Sequence, residues 1–186
     1  MGEDDATIAV IDALESLGIQ YMLVGSLSSN YYGIPRATQD ADFVIHLQAS
    51  SIAALGRQLG SGFHLDPQIS FETATMTRRH LIQVQGSEFK IELFLLSDDP
   101  HDQLRFQRRR RLEFLDRQTW IPTAEDVVIM KLRWAVEGKR SKDIDDVRNV
   151  IAVQGDRIDW DYVYPWCDQH GTRRQLEDIR QSLADM

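Results

Sequence analysis

The spacing of apolar residues predicts alternating helices and strands in the first third of the chain. Apolar residues recur at helical spacing from Ile8 to Leu17 and are followed by Gly18, which is typical of an amphipathic helix that ends at a glycine. The apolar run from Tyr21 to Val24, closed by Gly25, indicates a short buried strand. By the same reasoning the sequence predicts helices over residues 6–17, 26–32 and 50–59, and a strand over residues 40–46.

The middle of the chain has the pattern of β structure, and its end has the pattern of helices. Thr123 followed by Asp126 resembles a helix N-terminal capping box. Strands are predicted over 71–76, 81–85 and 89–96, a short ribbon over 111–115 and 118–121, and helices over 123–136, 142–153, 162–168 and 173–183. The predicted fold class is α/β (α+β): a mixed β-sheet flanked by helices over residues 1–121, with a C-terminal helical region, residues 122–186, packed on it.

The composition narrows the classes of function. Hydrophobic residues make up 42% and charged residues 27% of the 186 residues, so the chain is globular rather than disordered. The net charge of −8 argues against a general nucleic-acid coat protein, which is basic, but it leaves room for a local basic patch. Cys167 is the only cysteine, so an intrachain disulfide and a cysteine-built zinc site are excluded. We expect Cys167 to be a small buried apolar residue.

The sequence has no feature of a membrane or exported protein, and we expect a cytoplasmic location. No stretch approaches the roughly 18 uninterrupted apolar residues of a membrane span. Residues 1–5 lack the positive and apolar regions of a signal peptide.

Two carboxylates spaced by one residue are the strongest chemical signal. In a strand, Asp40 and Asp42 project from the same face, and their oxygens can converge on one or two metal ions. Glu92 is the candidate for a third acid, because it lies in an otherwise nearly apolar strand where an unpaired charge costs free energy. Lys90 lies on the same face by alternation, so the alternative is an ion pair between Glu92 and Lys90.

A small-residue turn precedes the two carboxylates. Gly25 lets the backbone approach a phosphate closely, and Ser26 can donate hydrogen bonds from its hydroxyl and, at a helix start, from its amide. The alternative is an ordinary strand-to-helix turn. Together with the carboxylates, the turn points to chemistry on a nucleotide.

The combination of Gly25-Ser26, Asp40-x-Asp42 and a later third acid resembles the nucleotidyltransferase superfamily of the DNA polymerase β type. The fuller match is to its minimal prokaryotic branch, which includes the nucleotidyltransferase toxins of abortive-infection (type IV toxin–antitoxin) systems. In that branch a Gly-x-x-Arg-x-Thr-x-Asp-x-Asp segment recurs, and it is matched here by Gly33, Arg36, Thr38, Asp40 and Asp42.

A second block of sequence carries the same resemblance. Residues 123–132, followed by Lys142-Asp143, are similar to the C-terminal helical signature of the branch, in which the residues that match Lys131, Lys142 and Asp143 face the nucleotide site. The two blocks together span about residues 20–150. The third acid is usually Asp in this family and is Glu92 here, and Ser26 stands where other members have a second glycine.

The resemblance implies a nucleotidyltransferase-like mixed sheet and the transfer of a nucleoside monophosphate from a nucleoside triphosphate to an acceptor hydroxyl. It implies that Asp40, Asp42 and Glu92 are catalytic and hold Mg²⁺, or Mn²⁺ in its place. The nucleotide-binding residues that it implies are Gly25, Ser26, Arg36, Lys131, Lys142 and Asp143.

Several of these residues have a structural alternative. Lys131 either contacts the triphosphate or is a lysine that extends along an amphipathic helix towards water. Lys142 and Asp143 either orient the site or pair with each other. Arg36 either contacts phosphate or holds its loop against an acid.

The acceptor is suggested by one basic cluster, formed by Arg105, Arg108, Arg109, Arg110 and Arg111. Such a cluster is either a solvated face or a contact for an RNA backbone, with Tyr31, Tyr32 and Phe106 as stacking partners. If it contacts RNA, tRNA is the first acceptor to test. The toxin-like branch also suggests an antitoxin protein as a partner.

Two other functions remain open. An acidic triad also serves two-metal nucleases, and a nucleotidyltransferase fold that has lost turnover can work as a nucleotide-binding or partner-binding module. The four tryptophans are expected in the core or at helix contacts.

Overall fold

The computed structural model describes residues 1–47, 52–72, 76–138 and 141–185. The helices in this part are α1 (Glu3–Ser16), α2 (Gly25–Tyr32), α3 (Ile52–Leu59), α4 (Pro100–Arg108), α5 (Ala124–Gly138), α6 (Ser141–Gln154), α7 (Trp160–Gln169) and α8 (Arg173–Ala184). The strands are β1 (Gln20–Val24), β2 (Asp40–His46), β3 (Phe63–Leu65), β4 (Ser70–Glu72), β5 (Thr77–Val84), β6 (Lys90–Leu95), β7 (Arg110–Phe114) and β8 (Arg117–Ile121).

Six strands form one mixed sheet. The strand order is β1-β2-β6-β5-β3, and β4 pairs with the other end of β5. The β2–β6 pair is parallel, while β1–β2, β5–β6, β3–β5 and β4–β5 are antiparallel. Strands β7 and β8 form a separate antiparallel ribbon. The predicted fold class, a mixed sheet flanked by helices, is therefore confirmed.

Alternation along the strands gives the sheet two different faces. Residues such as Phe43, Ile45 and Leu93 pack against α1 and α3 in the largest hydrophobic cluster. The opposite face carries a smaller apolar cluster that includes Val44 and Phe94, next to Phe106 of α4. Because side chains alternate in β2 and β6, the acidic residues fall on this second face.

Helices α5 to α8 share a second large hydrophobic cluster. Val128, Val147, Val163 and Leu176 are fully buried in it, and each comes from a different helix. Cys167 is also fully buried there, as the sequence predicts for a small apolar residue. The boundary between residues 1–121 and 122–186 stays a prediction.

The largest difference from the sequence prediction is α4, which was not predicted. The Asp99 side chain caps its N-terminus by accepting hydrogen bonds from the amides of His101 and Asp102, and Pro100 occupies its first turn. β3 was also not predicted, and β5 begins at Thr77 rather than at residue 81. Residues 50–51 of the third predicted helix and residues 73–75 of the strand predicted at 71–76 lie outside the described residues.

Across the four described ranges, no helix is both long enough and apolar enough to cross a membrane.

Candidate active site

Three predicted carboxylates lie on one face of the sheet. In the parallel pair of β2 and β6, Asp42 is directly opposite Glu92, and Asp40 is opposite Lys90. Asp40, Asp42 and Glu92 all line a single pocket with a cavity volume of about 140 Å³. The side-chain alternation predicted from the sequence therefore brings the three acids to one place.

Gly25 forms the edge of the same pocket at the start of α2. Its φ is +63°, a left-handed conformation that L-residues other than glycine adopt only at a cost. A Cβ atom built on Gly25 would lie 1.9 Å from Asp42 Oδ2. The carboxylate thus lies against the helix start in space that only a glycine leaves open.

The first turn of α2 is held by its own serines. Ser28 Oγ donates to the Gly25 carbonyl at 2.9 Å, and Ser29 Oγ donates to the Ser26 carbonyl at 2.9 Å. Ser26 lines the pocket although only 5% of it is exposed, and its Oγ accepts a hydrogen bond from Arg36 Nη2 at 2.9 Å. The turn is therefore fixed before any ligand arrives.

A network of alternating charges supports this turn from the C-terminal helices. Asp146 of α6 accepts hydrogen bonds from Arg36 Nε at 2.6 Å and from Lys131 Nζ at 2.7 Å. Lys131 Nζ also donates to Asp143 Oδ1 at 2.8 Å. Arg36 therefore holds its loop against an acid, and Lys131 lies between two carboxylates.

The same network perturbs the acid–base behaviour of its members. Burial alone raises the pKa of Asp146, but the hydrogen bond from Arg36 and the charge of Lys131 outweigh it, so the net pKa is lowered. The hydrogen bond to Asp146 raises the pKa of Arg36. Both partners of this ion pair therefore stay charged over the whole physiological range.

Glu92 is paired, but with a partner that the sequence reasoning missed. Both of its oxygens accept hydrogen bonds from Arg79 Nη1, at 3.2 and 3.0 Å. The alternative partner considered from the sequence was Lys90, and Arg79 of β5 takes that place. Both side chains of this pair are partly exposed, so the pair contributes no more than about 1 kcal/mol to stability.

Asp40 is also engaged, because Thr38 Oγ1 donates to Asp40 Oδ1 at 2.5 Å. Over the residues whose positions are described, no group of three or more Asp, Glu, His or Cys side chains is arranged to hold one metal ion. Metal binding by Asp40, Asp42 and Glu92 together therefore stays a prediction. The Glu92 oxygens are hydrogen-bonded to Arg79 instead.

The rest of the pocket combines two apolar walls with basic side chains. Phe94 and Trp134 meet edge to face with ring centroids 6.2 Å apart, and both line the pocket. Trp134, expected to be a core or helix-contact residue, is therefore also a pocket residue. Lys142 and Arg105 line it as well.

Arg105 is a buried member of the predicted basic cluster. It pairs with Asp102 of the same helix, with Nη2 and Oδ1 2.5 Å apart. Burial alone raises the pKa of Asp102. The charge of Arg105 and the hydrogen bonds from Ser97 lower the pKa by more than burial raises it, so the net pKa is below the usual range.

The five predicted arginines do not form one surface. Arg108 stacks on Tyr162 with its guanidinium carbon 3.9 Å from the ring centroid, and Arg109 stacks on Phe106 at the same distance. Arg110 and Arg111 lie on β7, where both are exposed. With Arg105 buried as well, three members are held against the protein, and a contact between the cluster and RNA stays a prediction.

The three residues predicted to stack on RNA bases also differ in their exposure to solvent. Phe106 is only 3% exposed, so it is not available to a nucleobase. Tyr32 packs against both large hydrophobic clusters, and its hydroxyl donates to the Pro122 carbonyl at 2.9 Å. Tyr31 is 39% exposed and remains the one of the three that a base can reach.

No protein-family model matches the sequence, and no curated protein matches it. Solved structures do match. JHP933 from Helicobacter pylori superposes with a TM-score of 0.57 at 15% identity, covering 97% of this chain and 90% of that one. ANT(2'')-Ia in complex with adenylyl-2''-tobramycin gives a TM-score of 0.58 at 11% identity, covering 91% of this chain and 98% of that one.

A third match names the fold directly. An antigenic nucleotidyltransferase-like protein from Paracoccidioides brasiliensis gives a TM-score of 0.55 at 18% identity, covering 96% of this chain and 91% of that one. At these identities the matches establish the fold. The resemblance found in the sequence is confirmed at that level: this chain shares the fold of these nucleotidyltransferase-like structures.

Proposed function

We propose that this protein transfers a nucleoside monophosphate from a nucleoside triphosphate to an acceptor hydroxyl, with a divalent cation as cofactor. One observation carries the proposal: a single pocket of a nucleotidyltransferase fold is lined by the Gly25-Ser26 helix start, by Asp40 and Asp42, and by Glu92. A helix start that can bind phosphate, beside carboxylates on one sheet face, is the arrangement that this reaction requires.

The donor atoms at the site fit Mg²⁺ or Mn²⁺. Asp40 and Asp42 offer hard carboxylate oxygens on one sheet face, and the missing Cβ of Gly25 leaves the space that the Asp42 carboxylate uses. Asp40 and Asp42 would hold the cation, and Glu92 would be the third ligand if it were released from Arg79. A bound divalent cation neutralises charge on the phosphates and on the acceptor oxygen during displacement.

The chain's own residues bind the triphosphate. The first backbone amides of α2 lie at the N-terminus of an eight-residue helix and carry partial positive charge. They therefore favour the binding of a phosphate beside Gly25 and Ser26. Lys142 is exposed at the pocket and is free to reach a phosphate from α6. Phe94 and Trp134 form an apolar wall of the pocket.

Three predicted nucleotide-binding residues act through other residues rather than on the nucleotide: Arg36, Lys131 and Asp143. Arg36 orients the Ser26 hydroxyl through its Nη2, and Asp146 fixes Arg36 in turn. Lys131 is neutralised by two carboxylates, so it holds α5 to α6 and sets the position of Lys142 beside Asp143. We assign these residues to positioning the turn rather than to contact with phosphate.

RNA, and tRNA first, is the acceptor that we propose to test. Arg110 and Arg111 of β7 are the exposed arginines on which a phosphate backbone contact rests. Replacing both with Gln lowers RNA affinity and reduces the salt dependence of binding by roughly one or two units of slope. Arg117→Gln on the neighbouring strand β8 is the matched control, because Arg117 is exposed and pairs with Asp12.

A toxin role and an antitoxin partner are the further part of the proposal, and they rest on the sequence resemblance. Expression of the wild type in a bacterial host arrests growth, whereas Asp40→Ala/Asp42→Ala does not. Unimpeded growth at equal expression levels contradicts the toxin role without affecting the assignment of the reaction.

The decisive experiment incubates the protein with Mg²⁺, each α-labelled nucleoside triphosphate and total cellular RNA, beside the Asp40→Ala/Asp42→Ala variant. Label in RNA with the wild type alone supports the proposal and identifies the acceptor. ANT(2'')-Ia is seen with an adenylylated tobramycin, so an amino sugar is the second acceptor in the same assay. Label in a protein band redirects the search to a protein acceptor.

The competing functions give different results in that assay. A two-metal nuclease shortens the RNA and releases no pyrophosphate from the triphosphate. An inactive module binds nucleotide in a metal-dependent way, with no label transferred to any acceptor. Either result overturns nucleotidyl transfer.

A further inference from the structure

The Glu92 carboxylate is hydrogen-bonded to Arg79. Arg79 Nη1 donates to both carboxylate oxygens, and Arg79 Nε donates to Ser70 Oγ at 2.9 Å. In the antiparallel pair of β5 and β6, Leu81 is opposite Glu92, so Arg79 is its diagonal neighbour on the same face. The guanidinium is thus held by two neighbouring strands at once.

Arg79 also lines the pocket together with Asp40 and Asp42. Asp42 lies opposite Glu92 on the other neighbouring strand, so the Glu92 carboxylate is placed between an acid and a guanidinium. A divalent cation shared by Asp42 and Glu92 needs the oxygens that Arg79 now uses. Cation and guanidinium repel each other, so they compete for Glu92.

The ion pair is weak enough to be exchanged. The Arg79 side chain is 36% exposed and that of Glu92 is 21% exposed, so water screens their attraction. A partly exposed pair of this kind therefore weakens the binding of a competing cation to Glu92 by no more than roughly fivefold. A guanidinium fork also fits phosphate as well as it fits carboxylate. Phosphates that enter the pocket therefore compete for Arg79.

We propose that Arg79 is a positioning residue that occupies Glu92 until a nucleoside triphosphate has bound. The phosphates then take the guanidinium, and Glu92 becomes a ligand for a cation shared with Asp42. The inference rests on the proposed function, because it requires a triphosphate and a divalent cation in this pocket. It adds an order of binding: the cation at Glu92 enters after the nucleotide.

The first test measures Mn²⁺ binding without nucleotide, from the electron paramagnetic resonance signal of free Mn²⁺. Arg79→Gln is expected to bind Mn²⁺ more tightly than the wild type, by up to about fivefold, because the competitor for Glu92 is gone. Adding Glu92→Gln to Arg79→Gln removes the gain. Equal affinity in Arg79→Gln and wild type, with both folded by circular dichroism, overturns the proposal.

Arg78→Gln is the matched control. Arg78 is the preceding residue of β5, so it carries the same charge but points to the opposite face of the sheet, where it is exposed. It is expected to bind Mn²⁺ as the wild type does. A gain in Arg78→Gln equal to that in Arg79→Gln means that net charge alone causes the change, which overturns the proposal.

The second test counts Mn²⁺ ions per bound nucleotide by equilibrium dialysis, with an equimolar mixture of the α,β-methylene analogues of ATP, GTP, CTP and UTP. The wild type is expected to bind more Mn²⁺ per nucleotide than Glu92→Gln, and equal counts overturn the proposal. Neither test needs turnover. If Mn²⁺ follows Arg79 and Glu92 but no label is ever transferred, nucleotidyl transfer fails and the binding order stands.

The converse outcome is equally distinct. If label is transferred but Arg79→Gln and wild type bind Mn²⁺ alike, only the role of Arg79 fails. If no variant binds Mn²⁺ with or without nucleotide, both proposals are overturned.

Discussion

Gly25 and Asp42 are so close that residue 25 has no room for a side chain. A Cβ at Gly25 would lie 1.9 Å from Asp42 Oδ2 and 2.8 Å from its Cγ. Asp42 is fixed by its place in the sheet, between Val24 on β1 and Glu92 on β6. The start of α2 and the carboxylate therefore form one unit, and a change in either moves the other.

Gly25→Ala is expected to displace the Asp42 carboxylate and to weaken Mn²⁺ binding at least about tenfold, in the range seen when metal-site geometry is disturbed. The positive φ of Gly25 adds a cost of roughly 1–2 kcal/mol to folding, before the clash is counted. Mn²⁺ titration and urea unfolding measure the two effects separately.

Gly18→Ala is the matched control for backbone strain. Gly18 has a φ of +64°, and a Cβ built on it meets nothing within 4 Å. It is expected to lose about 1 kcal/mol of stability with no change in Mn²⁺ affinity. Wild-type Mn²⁺ affinity in Gly25→Ala contradicts the idea that this contact sets the carboxylate.

Asp146 is expected to be important for stability although it lies outside the group of Asp40, Asp42 and Glu92. Asp146→Ala removes the partner of Arg36 and leaves Lys131 with Asp143 alone, which costs about 2–3 kcal/mol of unfolding free energy because hydrogen bonds to charged groups are lost. It also releases the Ser26 hydroxyl from its orienting arginine, so triphosphate affinity falls.

The neighbouring residue gives the comparison for Asp146. Asp145 is 62% exposed and pairs only with Arg148 of the same helix, so Asp145→Ala is expected to change stability by less than about 1 kcal/mol. Equal losses in the two variants, measured by urea unfolding, contradict the role of the buried network.

The sequence predicts the acids of this site but not their partners. Alternation alone places Asp40, Asp42 and Glu92 on one face, because the spacing within a strand fixes the direction of each side chain. Which residue of β5 faces Glu92 depends on strand register, and register is set by pairings between segments distant in sequence. The pairing of Arg79 with Glu92 can therefore be identified only from the folded structure.

Other differences have separate causes. The link from Arg36 to Asp146 spans 110 residues and joins a loop to a helix, so no local pattern reports it. The burial of Arg105 could not be predicted, because the exposure of an arginine depends on nearby rings and acids, which the sequence does not place. α4, by contrast, carried a signal: Asp99 followed by Pro100 is a helix start.

Lys131 and Lys142, the two lysines that match the family's helical signature, are expected to respond differently to substitution. Lys142→Gln lowers triphosphate affinity about fivefold with little effect on stability, since Lys142 is exposed at the pocket. Lys131→Gln leaves Asp143 and Asp146 without their shared cation and lowers the unfolding free energy by about 2–3 kcal/mol. Nucleotide titration and urea unfolding on both variants test this; a reversed pattern contradicts the assigned roles.

A fully buried histidine, His101, beside a half-buried one, His170, predicts acid sensitivity away from the active site. The rings of His101 and His170 lie 5.5 Å apart, and the charges of Arg133 and Asp99 act on His170. Burial, the charge of Arg133 and His101 together lower the pKa of His170 to about 4, despite the opposing effect of Asp99. Burial also lowers the pKa of His101, although Asp126 opposes it.

The sign of the pH effect follows from these directions. An unfolded histidine has a pKa of about 6.5, so between about 4 and 6.5 the unfolded chain binds more protons than the folded one. The stability that the neutral histidine contributes is therefore fully present above pH 6.5, and it is lost as the pH falls towards 4. Unfolding free energy measured across this range is expected to depend less steeply on pH in His170→Gln than in the wild type. The same substitution at exposed His64 controls for the loss of an imidazole, and an unchanged slope in His170→Gln contradicts the assignment.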